Sequence, residues 1–165
     1  MANTPEYRLQ ALLEIRERNK EEAEKAFGEA IAAHKSEEEK QKQMELELKR
    51  MEARREQKRR EYAEKSMRGE MSAQDVVGAN TYIQRLQEQE EMQKQAIEAQ
   101  KAVVEYKKQE MDNARQALML ANQELKALEK HKEKQIEEWK KKIQQKEEEN
   151  MDELAQQIFM RNDRF

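Results

Sequence analysis

The stretch Ser66-Met67-Arg68-Gly69-Glu70-Met71-Ser72-Ala73-Gln74-Asp75 decides the fold, because turn-forming and small residues collect there and the helical pattern lapses. Gly78 follows closely. Upstream, the chain runs from Glu6 to Lys65 with no proline and one glycine, and downstream neither residue occurs between Gly78 and Phe165. The sequence therefore predicts one domain, residues 1–165, with helix one at about 6–65, a loop at about 66–75 and helix two at about 76–163.

The start of helix one is predicted from two adjacent residues. Thr4 is suited to the N-cap and Pro5 to the first helical position. The third helical position is Tyr7, so the acid that would complete a capping box is missing.

The composition is typical of long helices or a coiled coil. Charged residues make up 42% and aromatic residues only 5%, so apolar side chains are too scattered for an ordinary compact core. The net charge of −3 argues against a dedicated nucleic-acid binder. No apolar run reaches the ~18 residues that a membrane span needs, no secretory signal is visible, and without cysteine there is no thiolate metal site. We therefore expect a soluble cytosolic rod with no direct membrane insertion.

Helix two carries an apolar stripe that steps alternately by three and four residues from Val76 to Lys142, and thirteen of its twenty positions are apolar. Such a stripe keeps one face toward a partner helix with a left-handed supercoil. A weaker stripe on helix one includes Leu13, Phe27 and Leu48. Because the loop is short, the two stripes are predicted to cover each other.

The predicted fold is all-α: a long two-helix antiparallel coiled-coil hairpin with an unpaired C-terminal helical extension. Folding back around Gly69 places Leu9 roughly opposite Leu128. Residues beyond about Lys132 then lack a partner from helix one, which leaves an overhang of roughly 45–50 Å at about 1.5 Å per residue. Such an extension is either frayed or bound to another protein.

No catalysis, cofactor or metal is predicted. A two-helix rod lacks an interior large enough for a pocket with convergent polar groups. The two histidines, His34 and His131, are far apart in charged sequence, and the glycines are too few for a phosphate-binding loop. The basic stretch Lys49–Glu61 fits a solvated helix surface best. Contact with an acidic protein surface is the alternative, and nucleic acid is a weaker one because no aromatic residue is interleaved.

Two apolar clusters are candidate binding surfaces. Beside the loop, Tyr62, Tyr82 and Leu86 either close the hairpin end as packed core or form an exposed partner site. In the last turns of the chain, apolar residues recur at helical spacing with nothing predicted to cover them, so partner contact is favoured there over fraying. These residues are Met151, Leu154 and Ile158, with Phe159 and Met160 beside them and with Trp139 and Ile143 at the edge of the paired region.

Three segments resemble the flagellar FliJ family. They are Tyr7-Arg8-Leu9-Gln10-Ala11-Leu12-Leu13-Glu14-Ile15-Arg16-Glu17; Gly69-Glu70-Met71-Ser72-Ala73-Gln74-Asp75 followed by Tyr82-Ile83-Gln84-Arg85-Leu86; and Met151-Asp152-Glu153-Leu154-Ala155-Gln156-Gln157 with Met160-Arg161. The YscO-like stalk of the injectisome has the same plan and is similar around His131-Lys132-Glu133 and Trp139. The loop motif favours the flagellar branch.

This resemblance implies a non-enzymatic central stalk and chaperone escort of a bacterial type III protein export apparatus. It would lie in the cytoplasm, peripheral to the inner membrane, with the hexameric export ATPase, an export-gate membrane protein and export chaperones as partners. The implied gate contacts are Tyr62, Tyr82, Leu86, Gln89 and Gln93. The implied ring contacts at the terminal end are Leu9, Leu13, Trp139, Ile143, Met151, Leu154 and Ile158.

Three alternatives stay open on the sequence. The chain could be the stalk of a virulence injectisome rather than of a flagellum. It could also be a generic structural coiled coil that forms a parallel homodimer through the stripe of helix two. A nucleic-acid-binding helix that uses Lys49–Arg60 is the third.

Overall fold

A computed structural model describes residues 6–164. It contains two helices, α1 at Gln10–Met67 and α2 at Ala73–Asn162, and no strand occurs within the described range. Internal contacts divide the chain into two units. The loop unit is Ala26–Arg115, and the terminal unit holds the described residues of Met1–Lys25 and Gln116–Phe165. Within each unit a segment of α1 packs antiparallel against a segment of α2, so the predicted all-α pairing of two antiparallel helices is confirmed.

The helix ends differ from the predicted ones by a few residues. α1 begins at Gln10 rather than near residue 6, because the preceding residues form a turn in which the Gln10 amide donates to the Tyr7 carbonyl at 3.0 Å. The predicted cap at Thr4 and Pro5 lies outside the described residues. α2 begins at Ala73, which shortens the loop to Arg68–Ser72.

The loop begins with a Schellman motif at the end of α1. Gly69 has a φ of 70°, in the left-handed region that favours glycine. Its amide donates to the Ser66 carbonyl at 3.1 Å, and the Glu70 amide donates to the Lys65 carbonyl at 3.0 Å. Carbonyls that the helix leaves unpaired are thereby satisfied, and the chain leaves the helix axis at a defined angle.

The loop ends in a capping box at the start of α2. The Ser72 hydroxyl accepts a hydrogen bond from the Asp75 amide at 3.1 Å, and the Asp75 carboxylate accepts one from the Ser72 amide at 3.0 Å. The pKa of Asp75 is lowered, most strongly by the hydrogen bond from the Ser72 amide and next by one with the Ser72 side chain. The loop is thus fixed at both ends by local hydrogen bonds.

The loop unit has an apolar seam with polar residues set into it. Ala79, Leu86 and Ile97 are buried. Two polar residues of α2, Glu90 and Gln100, are also buried, with exposed fractions of 4% and 6%. Because an unpaired polar group is costly to bury, each of them needs a partner on α1.

These polar residues pair with two residues of α1, Arg55 and Glu37, which are polar interruptions of its apolar stripe. The Arg55 guanidinium donates to both carboxylate oxygens of Glu90, at 2.8 and 3.0 Å. The Gln100 amide donates to the Glu37 carbonyl at 3.0 Å and to the Glu37 carboxylate at 2.6 Å. The interruptions on the two helices thus face each other and fix their register.

The terminal unit is held by a core of Tyr7, Leu13, Ala121 and Leu125, all buried. Polar contacts join residues 7–16 to residues 124–132 of this unit: Tyr7 hydroxyl to His131 Nδ1 at 2.6 Å, Lys132 Nζ to Gln10 Oε1 at 2.9 Å, and an Arg16–Glu124 ion pair. This register agrees with the expected position of Leu9 opposite Leu128.

The exposed end of α2 starts later than the sequence predicts. Ile136, Trp139 and Ile143 are half-buried, whereas every residue from 144 to 164 is exposed. The expected start near Lys132 is wrong, because residues 6–8 precede α1 and line a groove with Ile136 and Trp139. We call residues 144–164 the tail. Within residues 6–164, neither α1 nor α2 contains an apolar stretch that could span a lipid bilayer.

Candidate partner-binding surfaces

The tail presents an apolar stripe on an otherwise charged helix. Met151, Leu154 and Ile158 are 70%, 55% and 59% exposed, and Phe159 and Met160 beside them are exposed to a similar degree. The spacing of three and then four residues places the first three on one helix face. At about 1.5 Å per residue, the tail has a length of roughly 31 Å. A contiguous exposed apolar stripe of this kind is expected of a partner site.

The other residues expected at the terminal end occupy different environments. Leu13 is only 4% exposed and packs within the unit, so its side chain stabilises the helix pair and does not present a surface. Leu9 is exposed. Trp139 lies in an open groove of about 730 Å3 with Tyr7 and Ile136. The structure therefore separates the predicted set into core, groove and exposed stripe.

The tyrosines beside the loop form a packed contact. Tyr62 and Tyr82 meet edge to face, with ring centroids 6.5 Å apart and an interplanar angle of 89°. Leu86 is buried. Aromatic pairs in this geometry stabilise the surface they close. Of the two interpretations open on the sequence, this arrangement favours a closed hairpin end for these three side chains.

The two glutamines that were expected to contact the same partner occupy different environments. Gln93 donates to the Met44 carbonyl at 3.0 Å and so serves the helix pair. Gln89 is exposed.

Two exposed apolar residues at the loop end were missed by the sequence analysis. Met67 is 90% exposed and Val77 is 65% exposed. Neither lies on the three-four stripe, so a search restricted to that stripe passes over them. Their positions close to Gly69 and Gly78 could have indicated their exposure, because an apolar side chain next to glycines near a loop has few neighbours to pack against.

The basic stretch of α1 is largely paired with acids. Arg59 donates to Glu56 at 2.7 Å, and this contact lowers the pKa of Glu56. Lys58 donates to Glu61 at 3.2 Å, which raises the pKa of the lysine. Arg55 is also paired, with Glu90. Because these bases are neutralised by acids, the stretch presents less positive charge to a partner.

The histidines are held separately. His34 lies 3.4 Å from Glu38 one turn away on α1, and His131 accepts or donates at the Tyr7 hydroxyl. Among residues 6–164, no group of three or more His, Cys, Asp or Glu side chains is placed to hold a metal ion. The arrangement of the described surfaces is suited to binding other proteins.

Comparison with known proteins gives both a fold and a family. No curated protein sequence matches the chain. The solved structure of a proposed YscO homolog from Chlamydia trachomatis superposes with a TM-score of 0.81 at 24% identity, over 94% of this chain and 96% of that one. That similarity supports the fold. The model of the YscO-like protein family matches residues 4–165, which is nearly the whole sequence, and the chain therefore belongs to the YscO-like family.

Proposed function

We propose that this chain is the central stalk of a type III protein export ATPase, with its terminal end inserted into the hexameric ring and its loop end against the export-gate membrane protein. Membership of the YscO-like family supports a stalk-type role in type III secretion. The observation that carries the finer proposal is the tail, a helix whose apolar residues are exposed at 55–70%.

The exposed apolar side chains of the tail would be stabilised by burial. The terminal unit does not bury them, whereas the channel of a ring would. Fully burying a Leu or Ile side chain stabilises a complex by about 1.5–3 kcal/mol. Met151, Leu154 and Ile158 follow each other along one face, so a surrounding channel would cover them together. Leu9, Trp139 and Ile143 lie nearer the paired region and would contact the rim of the ring. Leu13 would act by holding the helix pair.

The proposed gate contact uses the loop end. Tyr62, Tyr82 and Leu86 close the helix pair there, and this packing gives a gate protein a firm surface. We infer that direct contact comes from the exposed side chains around them, Gln89 and Val77, and that Gln93 contributes by fixing α2 to α1.

The coupling between the two partners would be mechanical. A stalk alters a partner's equilibrium only to the extent that it binds two states of that partner with different affinity. ATP hydrolysis would belong to the ring, so this chain would act without a catalytic residue or cofactor of its own. We propose a cytoplasmic position, peripheral to the inner membrane.

The family match supports the injectisome alternative over the flagellar branch that the loop motif favours. Escort of export chaperones, expected of both branches, is also part of the proposal. Purified injectisome and flagellar ATPases from the source organism, offered in parallel, would separate the branches by affinity.

The ring proposal is tested with the full chain and the cognate ATPase. The variant Leu154→Glu/Ile158→Glu places two charges on the apolar face of the tail. We expect at least a tenfold loss of ring binding and a loss of any change in ATP turnover. The control, Gln145→Glu/Lys146→Gln, changes the net charge by the same amount at exposed positions away from the apolar residues of the tail and should bind like the parent.

Two outcomes would remove the proposal. One is a parent chain that neither binds the ATPase nor changes its turnover. The other is equal binding by the two double variants, which would mean that the apolar face of the tail plays no part.

A further inference from the structure

Through the loop unit, α2 carries most of its exposed charges on one side. Acids recur every seven residues, and a base follows three residues after each: Glu91, Glu98, Glu105 and Asp112, with Lys94, Lys101, Lys108 and Arg115. One of these pairs, Glu98–Lys101, is closed at 3.1 Å. This side has the pattern of a solvated helix face.

The other side of the same helix segment is nearly free of charge, although 42% of the chain is charged. Its residues step alternately by four and three, as in a second coiled-coil seam. We call them the outer stripe: Arg85, Gln89, Met92, Ala96, Ala99, Val103, Tyr106, Glu110 and Asn113. All are exposed except Glu110, which is half-buried. The adjacent row, Glu88, Gln95, Ala102 and Gln109, is also exposed, and Glu88 is its only charged residue.

The outer stripe is distinct from the seam that α1 covers. The buried positions of α2 in this unit, among them Leu86, Glu90 and Ile97, recur on their own three-four steps and pack toward α1. The larger apolar members of the outer stripe, Met92 and Tyr106, are 69% and 59% exposed. A helix with two such seams is suited to binding one helix within its own chain and another outside it.

We propose that the outer stripe docks a second copy of this chain, with the two α2 helices antiparallel. The stripe is self-complementary in one register. There, Met92 lies opposite the second copy's Val103, and Ala96 opposite its Ala99. The same register sets Arg85 opposite the second copy's Glu110, so the base and the acid of the stripe meet twice across the two-fold axis.

Neighbouring registers lose this match. A shift of one seven-residue repeat in one direction sets Glu110 against Met92. The same shift in the other direction sets Arg85 against Val103. Glu110 accepts a hydrogen bond from Lys107 at 3.2 Å in the single chain, and a carboxylate has acceptor sites for more than one donor. Charge therefore selects one antiparallel alignment.

The size of the stripe fits a weak, reversible dimer. From Arg85 to Asn113 it extends about 43 Å along α2. A single pair of helices over that length lies at the small end of protein interfaces, where complexes are transient. We expect a dissociation constant of about 10–100 µM. The proposal uses residues of the loop unit alone, so it does not depend on the stalk assignment or on the tail.

The test is sedimentation velocity of the full chain from about 1 µM to 1 mM. We expect dimers to appear with rising concentration. Arg85→Glu should weaken the dimer at least tenfold, because it creates two acid–acid contacts, and Glu110→Arg should do the same. Combining the two substitutions should restore the parent affinity. The control Arg115→Glu makes the same replacement on the charged side and should leave the affinity unchanged.

Circular dichroism of each variant would verify that the helices persist, as expected for substitutions at exposed positions. A chain that stays monomeric at 1 mM would overturn the proposal. So would a dimer that Arg115→Glu weakens as much as Arg85→Glu, or a double variant that shows no rescue. A dimer that survives Ala99→Glu, at the centre of the stripe, would also rule out this interface.

Discussion

Residues 79–100 and residues 144–164 both belong to α2, and they differ in what lies against them. In the first segment, apolar residues such as Ile97 are covered by α1, and even its acid Glu90 has a partner. In the second, residues such as Ile158 repeat at similar spacing with more than half of their surface exposed. Apolar spacing thus predicts a binding face equally well in both segments. Which of the two faces is covered within the chain depends on which residues pack against it.

The largest expected difference between the two segments is the cost of removing an isoleucine side chain. Ile97→Ala should lower the free energy of unfolding by about 2–4 kcal/mol, because it leaves a cavity in the covered seam. Ile158→Ala should change it by less than about 0.5 kcal/mol, as for an exposed position. Urea unfolding followed by circular dichroism measures both values, and equal costs would mean that the tail is packed in solution.

The second prediction concerns the buried ion pair. Arg55→Ala leaves the Glu90 carboxylate buried without its base, and should cost about 2–4 kcal/mol. The double variant Arg55→Leu/Glu90→Leu should recover most of that loss, because two apolar side chains replace both charges. Arg60, 74% exposed at its side chain, supplies the control: Arg60→Ala should stay near the parent. No recovery in the double variant would show that the pair itself, and not its desolvation, determines the cost.

The third prediction concerns the cap of α2. Ser72→Ala removes the hydroxyl that accepts from the Asp75 amide and should cost about 1 kcal/mol. The pKa of Asp75 is lowered in the folded chain, so its contribution is present above the unfolded pKa near 3.8 and is lost as pH falls through the folded value. Asp75→Asn should therefore destabilise the protein at pH 7 and have little effect near pH 2. A penalty independent of pH would exclude the ionised capping box.

The smallest expected effect is that of removing the tail. A chain truncated after Lys146 should keep the unfolding midpoint of the parent, because residues 147–164 are all exposed. Its helical signal should fall only in proportion to the residues removed, while binding to the export ATPase should be lost. A lower midpoint would mean that the tail packs on the rest of the chain.

Much of the fold follows from local sequence. The single turn around Gly69, the two uninterrupted helices and the three-four stripe of α2 all arise from residues close together in the chain. The antiparallel pairing follows too, since a loop this short brings the two stripes together. The match between the interrupting residues could not be read in the same way, because Arg55 and Glu90 are 35 residues apart and their contact depends on register to within one helical turn.

The binding surfaces were less predictable for the same reason. The family resemblance implied partner contacts for Leu13, Leu86 and Leu154 alike. The structure buries the first two and exposes the third.

By itself, then, the sequence determined that this chain forms two long helices, where they turn and which residues form the apolar stripes, because these properties depend on local conformational preference and on periodicity. Only the tertiary structure decided which stripes are already covered and that the bare tail starts at residue 144. Those outcomes depend on contacts between segments distant in sequence, such as Tyr7 on His131, and a spacing rule contains no information about how far the partner helix reaches.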